Sequence, residues 1–168
     1  QLDTGIPLVE QAVAFDPKNA ELQFCLGMAL VELGERQNAL AHLTEALRLA
    51  PQDVPMLWQT AWLLATSADP SIRDGARALQ LATKAVQKSD GRAPHAFDAQ
   101  AAALAETENF EGAVAAAERG SALALTQGDT ALADAIDARI RLYRQGTAYH
   151  QPASSVPKLD GAAAQPAE

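Results

Sequence analysis

The sequence predicts an all-α protein in which pairs of antiparallel helices stack side by side, each pair burying its apolar face only against its neighbours. Three observations carry this. Pro17 and Pro51 stand 34 residues apart, and a period of ~34 residues built from two helices marks a helical solenoid. Hydrophobic residues make up 48% of the chain but aromatics only 5%, so the apolar content is mostly Ala and Leu and favours helices over strands. Small residues, Gly27, Ala39 and Ala46, sit on the apolar stripes, where they let two helices approach closely.

Residues 1–16 read as the second helix of a repeat whose first helix is missing, with Gly5, Val9 and Ala12 on one face. Asp16 and Pro17 end it, because proline disfavours helix in the residue before it. The chain opens on Gln1 in mid-repeat, so the sequence reads as the terminal part of a longer, bacterial-looking protein. Residues 17–53 form a complete repeat. Leu26, Gly27, Leu30 and Leu33 make the stripe of its first helix, Gly34 stops that helix, and Ala39, Leu43, Ala46 and Leu47 face back from the second.

Residues 54–92 form a repeat with Trp58, Ala61, Trp62, Leu64 and Ala65 on its first helix and Ala78, Ala82 and Ala85 on its second. Between them, SADPSIRDG is turn punctuation and lengthens the connection by about five residues over a standard repeat. A third repeat spans 93–128, with Phe97, Ala101 and Leu104 facing Ala113, Ala117 and Gly120, and Asn109 placed to cap its second helix. Residues 129–146 are a capping helix. Leu132, Ile136, Ile140 and Tyr143 lie on one face, with Asp134, Asp137, Arg141 and Arg144 opposite. Residues 147–168 are rich in Pro, Ala and Ser and predict an extended tail.

The segment Ala20 to Asp53 resembles a tetratricopeptide repeat. Gly27, Ala39, Ala46 and Pro51 stand where that family has its small residues and terminal proline, and Phe110 where it has an aromatic. Gln23 departs from the pattern, since a bulky apolar residue is usual there, and neighbouring Phe24 is expected to compensate through a change in helix rotation. The resemblance implies a right-handed α–α superhelix whose first helices line a concave groove. It implies a protein–protein interaction or scaffold module binding a peptide or protein segment.

By that resemblance the groove residues are Phe24, Met28, Val31 and Glu32 from one repeat and Trp58, Trp62 and Thr66 from the next. Phe24 and Met28, like Trp58 and Trp62, are i, i+4 pairs sharing a helix face. Aromatics and Met are enriched at recognition hot spots. Both tryptophans equally suit filling space between repeats, and the pattern leaves the two roles open. Family members that grip a peptide carboxylate use Lys, Asn and Arg in the groove; the apolar residues here suit an apolar or extended peptide, the chain's own tail or its copy from a neighbour included. The alternative is a non-catalytic accessory region of a larger enzyme, glycosyltransferase-like or membrane-anchored, that presents a protein substrate.

Net charge is −8, which opposes binding to nucleic acid or to an acidic membrane, and disfavours an RNA-binding helical-repeat reading of the same period. No apolar run approaches the ~20 residues needed to span a bilayer. The lone Cys25 allows no intramolecular disulfide, which suits cytoplasm and periplasm alike, and it is expected to pack beside a neighbouring helix. His42, His95 and His150 are dispersed, with His42 expected to face solvent and His95 to lie in a loop, and no metal site, cofactor site or catalytic constellation is expected. Glu10, Glu32 and Glu106 read as solubilising charge. Self-association is expected, if anywhere, through the tail or the exposed repeat ends.

Overall fold

The structure is a computed structural model that describes residues 2–152; the expectations for 153–168 and for Gly5 lie outside what is described. Among the described residues there are eight helices and no strand. They are α1 (Leu2–Phe15), α2 (Ala20–Glu32), α3 (Arg36–Leu49), α4 (Val54–Thr66), α5 (Gly75–Lys88), α6 (Pro94–Glu106), α7 (Phe110–Thr126) and α8 (Thr130–Arg144). None is long and apolar enough to cross a membrane.

Polar residues define the helix starts. Asn19, Asp53, Asp74, Asn109 and Asp129 each accept a hydrogen bond from a backbone N–H three residues on, at 2.9–3.1 Å, satisfying donors that the first turn leaves unpaired. Gly34, with φ 77°, takes the left-handed turn between α2 and α3 that a residue with a Cβ enters only at a cost.

Close approach explains the small residues. A Cβ on Gly27 would lie 2.8 Å from the Leu43 side chain and 3.2 Å from the Ala39 carbonyl oxygen, so α2 and α3 touch backbone to side chain there. Ala39, Leu43 and Ala46 are fully buried at that contact. The same device recurs where Ala82 of α5 meets Ala61 of α4 and Ala99 of α6, and where Ala101 of α6 packs with Ala113 and Ala117 of α7. The core runs unbroken between repeats: Leu47 of α3, Met56 and Leu57 of α4, Ala85 of α5 and Ala96 of α6 form one cluster. α8 closes the stack, with Ile136, Ile140 and Tyr143 buried against α6 and α7, while Asp134, Asp137, Arg141 and Arg144 stay exposed.

The lengthened connection, Ser67 to Asp74, is fastened down. Ile72 is buried against Leu43 and Leu63. The Asp74 N–H donates to the Leu64 carbonyl at 2.9 Å, and Arg73 donates to the Ser67 carbonyl at 2.8 Å and to Glu106 at 2.9 Å. The extra residues therefore tie α4 to α6.

Three expectations are corrected. Cys25 is exposed, because the buried stripe of α2 is Gln23, Leu26, Gly27 and Leu30, and Cys25 lies off it. His42 is half-buried and donates from Nδ1 to Gln23 Oε1 at 2.8 Å. His95 belongs to the first turn of α6, not to a loop. Gln23 is itself buried, with its Nε2 donating to the Pro17 carbonyl at 2.9 Å. It occupies the apolar position by satisfying both ends of its amide, so no rotation of α2 is needed to bring Phe24 there.

Candidate ligand groove

α2, α4 and α6 are the first helices of successive pairs, and α8 follows them. On α4 the stripe toward this side is Trp58, Trp62 and Thr66, and forty residues on, the same register of α6 holds Asp98, Ala102 and Glu106. Trp62 packs against the cluster that holds buried Ala102. Over so small a residue, long side chains from the two flanking helices meet. The Arg139 guanidinium of α8 lies 5.0 Å from the Trp62 ring of α4, which brings α8 against the exposed side of α4.

Five of the seven expected groove residues, Met28, Val31, Glu32, Trp58 and Trp62, line one pocket of about 130 Å³ between α2 and α4, completed by Gln59, Leu63 and Gln151. Phe24 does not line it; it packs half-buried against both the Leu47–Met56 and the Leu43–Leu63 clusters and joins repeats. Thr66 turns its side chain inward. It is fully buried, and its hydroxyl donates to the Trp62 carbonyl at 2.8 Å. Both tryptophans pack against the Ala61–Ala82–Ala99 core and are half-buried, and Trp58 stacks on His95 with centroids 4.6 Å apart.

A buried ion pair joins α8 to α6. Arg139 donates to both oxygens of Asp98, from Nε at 2.9 Å and Nη2 at 2.6 Å, and both side chains are largely withdrawn from water. Burial pushes the Asp98 carboxyl above its ordinary value, and the opposing pull of Arg139 falls short. Burial also pushes the Tyr143 phenol up, reinforced by the Asp98 carboxylate. The Tyr143 hydroxyl is buried without a hydrogen-bond partner among the described residues.

The chain leaving α8 runs back along α6 and α4. Gly146 turns it with φ 69°, and the Thr147 N–H donates to the Leu142 carbonyl at 3.0 Å. Tyr149 then lies tilted against Trp62 at 5.9 Å, with the Arg139 guanidinium 5.6 Å from its ring. His150 Nε2 donates to Glu106 at 2.7 Å. The Gln151 N–H donates to the Thr66 carbonyl at 2.7 Å. Glu106 thus accepts from both Arg73 and His150, a correction to its reading as solubilising charge.

Sequence reasoning missed His95, Asp98, Glu106, Arg139 and Tyr149. Carrying the tryptophan register forward into α6 was the available signal for Asp98 and Glu106. Nothing in the pattern pointed to Tyr149. Among the described residues no three of His, Cys, Asp and Glu converge as a metal cage requires.

Residues 20–53 match the tetratricopeptide repeat model. No curated protein matches the chain. Among solved structures it is similar to MamA, a helical-repeat protein of the same type. For the MamA RS-1 ArsTM double mutant the TM-score is 0.62 at 14% identity, over 86% of each chain. For two crystal structures of MamA it is 0.59 at 15% identity, over 86% of this chain and 89% of that one, and 0.58 at 17%, over 86% and 80%. At these identities the likeness bears on the fold: a right-handed helical solenoid.

Proposed function

We propose that this helical solenoid, whose residues 20–53 match the tetratricopeptide repeat model, is an interaction scaffold that binds an extended, partly apolar peptide or protein segment in a trough over α2, α4 and α6. The observation that carries the reading is the pocket where Met28 and Val31 of one repeat meet Trp58 and Trp62 of the next. All four are half-buried, so large apolar side chains remain available on a face whose framework the core already holds rigid. Glu32 and Gln59 frame that apolar patch with polar groups, the arrangement of a recognition pocket. The acidity of the chain favours ligands without clustered negative charge.

The test is selection of random twelve-residue peptides displayed on phage against the immobilised full chain. The expected result is enrichment of extended, apolar or aromatic sequences whose affinity falls at least tenfold on Trp62→Ala or Met28→Asp, with the helical circular dichroism of both variants unchanged. No enrichment, or binding indifferent to both substitutions, overturns the reading.

A further inference from the structure

We propose that the segment Ala148 to Gln151 is the groove's built-in ligand, and that an outside peptide binds by replacing it, placing an aromatic side chain in the notch between Trp62 and Arg139. This rests on the groove reading above and specifies what the groove recognises.

The segment contacts the trough through features that a second chain can reproduce. Tyr149 supplies a ring against Trp62, with the Arg139 guanidinium within 5.0 Å of one ring and 5.6 Å of the other. A cation beside two aromatic faces is an attractive arrangement. Arg139 is held by two bonds to buried Asp98, so the notch keeps its shape whichever ring fills it. The next residue, His150, gives a side-chain donor to Glu106, and Arg73 holds that carboxylate from the other side. The next gives only a backbone N–H, from Gln151 to the Thr66 carbonyl. That carbonyl is free to accept because α4 ends at Thr66. The recognition pattern is therefore an aromatic residue, a side-chain donor, and then a residue that keeps its backbone N–H.

The segment is also built to exchange. It has no helix or strand of its own, and His150 and Pro152 are exposed. Ala148 and Tyr149 rest half-buried on the core of α6, α7 and α8, but beyond them the segment is held by one side-chain and one backbone hydrogen bond, few enough for local opening. Its tether to α8 gives it a high effective concentration at the notch. A peptide with the same contacts but no tether is excluded by the occupied fraction, and only a stronger one displaces the segment. Gln151 also reaches the Met28–Trp62 pocket, so the segment covers one end of the apolar patch as well as the notch.

The experiment uses the full 168-residue chain and a fluorescein-labelled peptide of residues 145–152, QGTAYHQP, followed by anisotropy. The chain is tested as wild type, as Tyr149→Ala, which empties the notch, and as Gln151→Pro, which removes the N–H to Thr66 and leaves Tyr149 in place. The expected result is peptide binding at least tenfold tighter to Tyr149→Ala than to wild type, a smaller gain for Gln151→Pro, and loss of binding when the peptide's tyrosine is replaced by alanine. Equal binding by all three chains overturns the proposal, as does binding by none of them. If Tyr149→Ala loses its helical signal, Gln151→Pro decides alone, a gain supporting the proposal and no gain overturning it. Phage-selected peptides that need Trp62 and bind wild type and Tyr149→Ala equally leave the groove function standing and remove this inference. Failure to select any peptide removes the groove function itself.

Discussion

Asp98 and Tyr143 put polar atoms deep among alanine-rich helices, as buried Gln23, Thr60 and Thr66 also do. Asp98 is balanced by a two-pronged bond from Arg139, and breaking a buried pair strands its partner. Arg139→Ala is therefore expected to destabilise the chain by about 3–5 kcal/mol, read as a lower urea midpoint, with Asp98→Asn added to it restoring part of the loss. Tyr143 has no such partner for its hydroxyl, so Tyr143→Phe is expected to hold or raise the thermal midpoint. The raised Tyr143 phenol also fixes a pH dependence. The unfolded chain releases this proton near the ordinary tyrosine value of about 10, and the folded chain keeps it to higher pH. Stability from this group is thus fully present below pH ~10 and is lost as pH rises from there through the folded value. Thermal melts at rising alkaline pH are expected to fall less steeply in Tyr143→Phe than in wild type.

Helices and their pairing were legible because a repeating period states them many times over. Gly27, Ala39 and Ala46 mark the α2–α3 contact in sequence as clearly as in space, since close approach admits only small side chains. Gly27→Ala tests that contact. Alanine improves helix propensity by about 1 kcal/mol, but its Cβ would lie 2.8 Å from a Leu43 side chain that is fully buried and cannot retreat. Overpacking of about 1–3 kcal/mol is expected to win, giving a net loss in chemical denaturation. Buried polar residues were less legible. Gln23 looked like a lapse in the pattern because its partners, the Pro17 carbonyl and His42, are six and nineteen residues away, and the stripe of α2 holds no record of them. The segment after α8 was the least legible. Its composition predicts an extended chain, and through Pro152 it forms neither helix nor strand, but its seat on Trp62, Glu106 and Thr66 depends on groups brought together only by the stack.

At the scale of the whole molecule, the Met28–Trp62 pocket is made by two successive repeats and the segment after α8, so no single repeat contains it. The two tryptophans, the only ones in the chain, both stand on α4 and line that pocket. A nitrogen–proton correlation spectrum of the full chain therefore carries two indole signals that report on the trough, alongside backbone amides that report on the opposite side. Titration with a phage-selected peptide is the most direct test of the central claim. Shifts at the Trp58 and Trp62 indoles and at the α2 and α4 amides near Met28 and Thr66, with α3 and α5 unmoved, are the predicted result; shifts confined to α3 and α5, with both indoles still, would contradict it.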